Sequence, residues 1–185
     1  MLKKLAFAFV MTGALSGCAG KQPPLKTVEK VELSRYQGVW YEIANYPTRF
    51  QRGCIATQAT YSLKENGDVD VLNQCRMERM DGELKMAHGT AKVVDRESNA
   101  KLKVTFFWPF YGSYWIIDLD PDYRWAVVGH PGRDWLWILS RTPVMDEAVY
   151  EGILSRLPEK GYDPSKLVRT RQPVSVGTPE SGRQD

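Results

Sequence analysis

Between about Gly38 and Arg141 apolar and polar residues alternate with a period of two, and turn residues break the alternation at short intervals. That is the pattern of an antiparallel all-β chain. Thr57, Ala59, Tyr61 and Leu63 interleave with Ala56, Gln58, Thr60 and Ser62; Glu65-Asn66-Gly67-Asp68 then turns the chain, and Val69 and Val71 resume the alternation. Asn-Gly between alternating runs is the strongest short hairpin signal. Further strands are predicted at about Leu84 to Val94, Lys101 to Phe107, Tyr114 to Leu119, Trp125 to Gly129 and Trp135 to Arg141. They are separated by Glu97-Ser98-Asn99, Pro109 to Gly112, Asp120-Pro121-Asp122 and Pro131-Gly132-Arg133. The predicted fold class is all-β, an eight-stranded antiparallel up-and-down β-barrel. Closure removes exposed sheet edges, and eight strands leave an interior wide enough for side chains or one ligand.

After the last strand the period becomes helical. Met145, Val149, Ile153 and Leu157 fall on one stripe, Asp146 and Glu147 stand near the start, and Pro158 and Gly161 close the helix. One apolar stripe needs one sheet face to cover, so the C-terminal helix is expected outside the barrel. The strand phase carrying Trp115, Ile117, Val127 and Ile138 would meet it.

The N-terminus has a different character. Met1 to Lys4 is a short positive segment, Leu5 to Leu15 is apolar but too short to span a membrane, and Leu15-Ser16-Gly17-Cys18 places small residues before a cysteine. This resembles the bacterial lipobox, in which cleavage exposes a cysteine that receives acyl chains on its thiol and amino group. Cys18 is therefore the expected lipidation site. With two or more chains, each buried methylene contributing ~0.8 kcal/mol, attachment becomes stable rather than reversible. The chain then divides into a signal peptide (1–17), a lipidated tether (18–30), a barrel with its helix (31–172) and a disordered tail (173–185). Ala19 after the cysteine, by resemblance to enterobacterial sorting, implies the outer membrane, with the barrel facing the periplasm.

Composition narrows the partners. Removing Lys3 and Lys4 with the leader takes 25 Lys and Arg to 23, against 22 Asp and Glu, so a nucleic-acid partner loses its support. The 6 Trp, 9 Tyr and 6 Phe supply a large rigid aromatic surface that must line or cover something.

Three ordered motifs carry a family resemblance. Gly38-Val39-Trp40-Tyr41-Glu42-Ile43 matches the Gly-X-Trp of the lipocalins. Asp120-Pro121-Asp122-Tyr123 resembles their turn between the sixth and seventh strands, without its Thr, and Trp137 to Arg141 carries the arginine that ends the eighth. Tyr41-Glu42-Ile43-Ala44, Ala59 to Leu63 with Glu65-Asn66-Gly67, Pro109 to Gly112, and Leu136 through Pro143 look most like the apolipoprotein D and bacterial lipocalin branch. The resemblance implies structural roles for Gly38, Trp40, Asp122, Tyr123 and Arg141, with Trp40 plugging the closed end and Arg141 packing across it. It also implies a fatty acid or lysophospholipid ligand, held for storage or transport in membrane maintenance, in a monomer or weak homodimer with no cofactor.

Because side chains alternate across a strand, one anchored residue sets the phase. With Trp40 and Arg141 inward, Glu42, Ala44, Trp135, Trp137 and Leu139 follow. By resemblance Ala59, Tyr61, Val71, Asn73, Gly89, Ala91, Leu102, Val104, Phe106, Tyr114, Ile116, Ala126 and Val128 line the remaining strands. The alternative is that inward rings fill a tight core; the small residues Ala44, Ala59, Gly89, Ala91 and Ala126 favour a cavity. Arg49, Arg52 and Arg79 stand near the expected open end, where they meet a headgroup or simply solvate the surface.

An oxidising compartment permits a Cys54–Cys75 disulfide. A two-residue hairpin centred on Asn66-Gly67 would set position 75 opposite 58, so the bridge requires a bend or bulge in the second strand. His88 and His130 read as solvated, no metal site is expected, and Asp118, Asp120 and Asp122 read as turn residues more readily than as calcium ligands. No nucleophile elbow or phosphate loop occurs. The expectation is a binding protein rather than an enzyme, with an acid or base role for Glu42 or a buried Asp on a bound lipid as the alternative. An adaptor role for the Trp108 to Tyr111 loop, binding protein or membrane, can coexist with the binding role.

Overall fold

The computed structural model describes residues 22–173; the predicted leader, Cys18 and residues 174–185 lie outside them. The elements run α1 (Leu33–Tyr36), β1 (Gly38–Asn45), β2 (Cys54–Leu63), β3 (Val69–Met77), β4 (Leu84–Val93), β5 (Lys101–Phe107), β6 (Phe110–Leu119), β7 (Trp125–Gly129), β8 (Leu136–Ser140), α2 (Glu147–Arg156) and β9 (Val168–Arg169). Each strand from β1 to β8 pairs antiparallel with the next, and β1 pairs with both β2 and β8. The sheet is therefore a closed eight-stranded barrel.

Alternation along the strands produces two apolar layers. Trp40, Tyr61, Val71, Ala91, Leu102, Ile116, Val128 and Leu139 bury inward. Ile43, Ile117, Val127, Leu136 and Ile138 bury outward beneath α2 and the segment after it. The expected helix stripe needs one correction. Val149 is 37% exposed, and Tyr150 is buried in its place with Ile153 and Leu157. Positions 150, 153 and 157 share one face at 3.6 residues per turn. Asp146 caps the helix by accepting from the Val149 N–H at 3.1 Å.

The β2–β3 hairpin also departs from expectation. Leu63 pairs with Val69, and the Lys64 N–H bonds to the Asp68 carbonyl. The loop is thus the three residues Glu65-Asn66-Gly67, with Gly67 at φ +82° supplying the left-handed position that such a loop needs. A bulge between Ile55 and Gln58 then bends β2, with Ala56 at φ +49°. That bend brings Cys54 to Cys75: the two are disulfide-bonded, their Cα atoms 5.4 Å apart.

Residues 22–30 are not a free tether. Leu25 is 6% exposed within the outer layer, the Val28 N–H bonds to the Ile116 carbonyl at 3.0 Å, and Val31 is fully buried. The two apolar side chains at Leu25 and Val28 bury more area docked than extended, which the proline-flanked composition conceals.

A ninth strand, absent from the sequence reading, completes the wall. β1 pairs with β2 only from Gly38 to Tyr41; beyond that the strands diverge and β9 pairs with Ala44 and Asn45. The strap continues through the Thr170 N–H to the Ile43 carbonyl and the Ala56 N–H to the Arg171 carbonyl. Gln172 Nε2 donates to the carbonyls of Glu42 and Thr57 at 2.8 and 2.7 Å, stitching both sides of the seam.

The other end is shut by side chains. Gly38 sits at φ +90°, where an L side chain is strained, and opens β1 directly beneath Arg141. The Arg141 guanidinium lies 3.8 Å from the Trp40 ring centroid. It donates to the carbonyls of Tyr123, Val39 and Arg35 at 3.2, 3.0 and 2.7 Å. Trp40 Nε1 donates to the Tyr36 carbonyl at 2.8 Å. In the β6–β7 turn the structural carboxylate is Asp120, 3% exposed, not the expected Asp122, which is solvated. Asp120 accepts from the Arg124 side chain and from the N–H groups of Asp122 and Arg124. Those Arg124 bonds hold its carboxyl below its usual pKa. Tyr123 keeps its expected place, with its hydroxyl accepting from the Glu32 N–H.

Replacing Arg141 with Ala removes a partly desolvated cation–π contact and three carbonyl partners, a loss of about 3 kcal/mol. Arg141→Lys should recover less than half, because an ammonium cannot serve three carbonyls from one plane. Urea unfolding of the three proteins checks this; equal stabilities of wild type and Arg141→Lys would refute it.

Candidate functional site

β1 starts at the Trp40 floor, so the β1–β2, β3–β4, β5–β6 and β7–β8 connections all fall at the opposite end. A cavity of about 680 Å³ lies between that floor and those connections, within the range of small-molecule pockets.

The structure puts most of the expected lining on this wall: Glu42 from β1, Ala59 and Tyr61 from β2, Val71 and Asn73 from β3, and Ala91 from β4. The far side has Leu102, Val104 and Phe106 from β5, Tyr114 and Ile116 from β6, and Trp135, Trp137 and Leu139 around β8. Four expected positions are elsewhere. Ala44 is fully buried in the outer layer, because a bulge between Glu42 and Ala44 reverses the phase of β1. Gly89 is covered: Thr90 pairs with Thr105, which sets Phe106 opposite Gly89, and a Cβ on Gly89 would sit 2.8 Å from that ring. Ala126 and Val128 point inward but are fully buried in the inner layer, while their cross-strand neighbours Leu139 and Trp137 take the cavity surface.

Several lining residues escaped the sequence reading. Phe50 and Gln51 come from the 3-10 turn Arg49–Gln51, which folds over the mouth, and Tyr36 comes from α1. The spacing of Tyr36 to Trp40, whose rings lie 4.8 Å apart, was the available signal. Lys85 and Met86 enter from β4 near the mouth, and both disulfide cysteines are on the wall.

Two polar groups stand out in this apolar surface. At the floor the hydroxyl of Tyr114 lies 2.9 Å from that of Tyr36 and 3.0 Å from that of Tyr61. Three hydroxyls share two hydrogen bonds, so within the cluster one O–H hydrogen has no acceptor whichever way the rotors turn. Higher on the wall Glu42 is 4% exposed. Its carboxylate accepts from Asn45 Nδ2, Thr170 Oγ1 and Gln51 Nε2 at 2.5, 2.5 and 2.6 Å. Gln51 Oε1 in turn accepts from Trp137 Nε1 at 3.0 Å. The carboxylate is thus matched by neutral donors that join β1, the mouth turn and the C-terminal strap.

The remaining candidates lie apart. His88 is exposed on the outer wall, and His130 stacks against Trp135 with centroids 5.0 Å apart. Asp118 pairs with Arg156 and Asp120 with Arg124, so the aspartates face arginines rather than a shared centre. Among the described residues no group of three His, Cys, Asp or Glu could hold a metal ion. Arg79 pairs with Asp81, while Arg49 and Arg52 are exposed at the mouth.

Residues 31–172 match the lipocalin-like domain family. The chain is a lipocalin. It is 41% identical over 161 residues to "Outer membrane lipoprotein Blc" of Escherichia coli K12, covering 85% of this lipocalin and 90% of that protein. It is 34% identical over 180 residues to apolipoprotein D of Bos taurus, covering 91% and 92%. The family branch is therefore the one that joins these two proteins. Among solved structures insecticyanin of the tobacco hornworm Manduca sexta superposes with a TM-score of 0.68 at 22% identity, covering 83% of this lipocalin and 87% of that chain; this likeness is one of fold. Among the described residues the lipocalin has no helix long and apolar enough to cross a membrane.

Burial sets the titration of the floor cluster. Tyr61 is pushed up to about 12, and Tyr36 and Tyr114 are also raised, chiefly by loss of water around the phenolate. An exposed phenol titrates near 10. Above that pH the unfolded chain releases protons that the folded lipocalin still holds, so stability falls as pH rises past about 10 and is unaffected by this cluster below it. Urea midpoints between pH 8 and 11 should drop more steeply for wild type than for Tyr61→Phe. Parallel curves would contradict this.

Proposed function

We propose that this lipocalin is an envelope lipoprotein, anchored through Cys18 in the outer membrane with its barrel in the periplasm, that holds one fatty acid or lysophospholipid for storage or transport in membrane maintenance. The observation that carries the reading is the cavity of about 680 Å³, walled by aliphatic and aromatic side chains and open at one end only. The relative named as an outer membrane lipoprotein supports the location, and the Leu15 to Cys18 segment supports the anchor.

The chemistry of the wall suits an alkyl chain. A dozen methylenes removed from water contribute a gross ~10 kcal/mol, which ordering costs reduce to roughly micromolar affinity. The surplus hydroxyl hydrogen of the tyrosine floor adds a preference. A plain methyl end leaves that donor unmatched, whereas an oxygen on the deep end of the chain accepts from it. Oxygen-bearing, damaged membrane lipids meet both conditions.

The alternative, lipid chemistry at Glu42, asks that carboxylate to move a proton. Its oxygens already accept from three neutral side chains, an arrangement that suits an acceptor tying the seam together.

Native mass spectrometry of the mature chain after incubation with envelope lipid extract tests the proposal. One retained fatty acid or lysophospholipid is expected, with oxygenated species enriched. Ala87→Trp, projecting from an exposed position on the wall, should weaken that uptake at least about ten-fold by displacing roughly two methylenes. Failure to retain any lipid would sink the proposal, and conversion of the lipid to products would transfer it to the Glu42 alternative.

A further inference from the structure

The open end carries an unusual surface. Phe107, Trp108 and Phe110 are 81%, 81% and 76% exposed at the tip of the β5–β6 hairpin, and Phe50 is 67% exposed on the neighbouring mouth turn. Met86, on the same rim, is 58% exposed. Soluble surfaces rarely gather such side chains in one place unless something covers them.

The path of the N-terminal segment says what covers them. The Pro23 carbonyl accepts from Arg133 Nη2 at 2.7 Å, and Gln22 lies against Gly161. Arg133 belongs to the β7–β8 connection, which is on the open end, and its Nε donates to the Lys160 carbonyl beside Gly161. The described chain therefore begins at the mouth of the barrel. Cys18 is four residues earlier, and four residues span at most about 14 Å. Acyl chains on Cys18 would enter a bilayer within that distance of the rim, and they could not do so with the closed end facing the membrane.

We infer that the mouth of the barrel rests on the leaflet that holds the anchor, with Phe107, Trp108 and Phe110 seated at the headgroup boundary. This rests on the proposed lipidation of Cys18. The chemistry of the rim agrees. The β5–β6 tip bears no charge, and Trp is the residue favoured at a membrane interface. Arg49 and Arg52 flank Phe50 with no acidic residue in that turn, a disposition that meets lipid phosphates. The β3–β4 connection is less favourable: Asp81 is tied to Arg79, but Glu78 and Glu83 are also present. In this orientation a lipid moves from the bilayer into the cavity without crossing open water.

The test uses the mature chain in vesicles of phosphatidylethanolamine and phosphatidylglycerol whose acyl chains carry bromine, which quenches nearby tryptophan. Trp108→Phe should abolish most of the quenched emission, whereas Trp125→Phe, on the outer wall beside Arg156, should leave it unchanged. Quenching insensitive to Trp108→Phe on a chain whose Cys18 peptide carries acyl mass overturns the docking alone. A Cys18 peptide without acyl mass overturns the anchor and the docking together. In a second arm, Trp108→Ser, at the one of these three tip residues that does not line the cavity, should slow transfer of a pyrene-labelled fatty acid from vesicles to the barrel about ten-fold. Its affinity for the same fatty acid presented in solution should match wild type. Equal transfer rates overturn the docking, and loss of solution binding by the wild type overturns the lipid-holding function instead. A variant that changes only from dimer to monomer assigns the patch to a second copy and likewise overturns it.

Discussion

The barrel depends on how its first strand is held at the floor. β1 has to meet β8 on one side and β2 on the other, and nothing in a period-two pattern makes a sheet close at that strand. Arg141 supplies the constraint. It covers the Trp40 ring and gathers three carbonyls from the residues before β1, from β1 itself and from the β6–β7 turn. A planar guanidinium can bond several carbonyls in its plane while its face lies on an indole. The strand that begins the barrel and the residue that follows its last strand are thereby fixed to one another, and Gly38 is needed because the chain must pass beneath that cation.

With the floor fixed, the opposite end is free to differ. Strand divergence at the mouth opens the wall between β1 and β2, and the C-terminal strap fills it. Glu42 is the inward residue at that height, and it bonds the strap, the mouth turn and its own strand at once. A buried carboxylate without a cation is costly unless its lone pairs are matched, so the three donors and the carboxylate require one another. The cavity wall and the seam are in this sense one construction, joined onward through Gln51 to Trp137.

The strands, their order and most of the inward phase were legible because each depends only on neighbours one or two residues away. Tyr61, Val71, Leu102 and Ile116 are inward for that reason. The phase fails where a bulge intervenes: Ala44 follows the alternation on paper, but one inserted residue in β1 turns it to the outer layer. Gly89, Ala126 and Val128 are lost to the cavity for a different reason, since larger cross-strand neighbours, Phe106, Leu139 and Trp137, take the surface in front of them. The same kind of bulge in β2 was needed for Cys54 to reach Cys75, a condition visible in the sequence although the bulge was not. The docking of residues 22–30 and the β9 strap were illegible for another reason: short segments with one or two apolar side chains take their structure from the surface they cover. Asp120 against Asp122 was a choice between two turn carboxylates two residues apart, and only the position of Arg124 decides it.

An apolar wall holds a ligand without orienting it, since burial of hydrocarbon is non-directional. Orientation in this cavity must come from its few polar atoms, and those on the wall lie at fixed heights. The tyrosine cluster marks the floor, with its hydroxyls kept neutral by burial, so it can donate to an oxygen but offers no charge. Glu42 marks the middle, already matched by its neighbours. The cationic groups nearest the cavity, Lys85 on its wall and the exposed Arg49 and Arg52 of the turn beside it, stand at the mouth. The proposed ligand, with a charged head, an apolar length and a neutral oxygen at its far end, would match these three levels in one orientation, head at the mouth and oxygen at the floor.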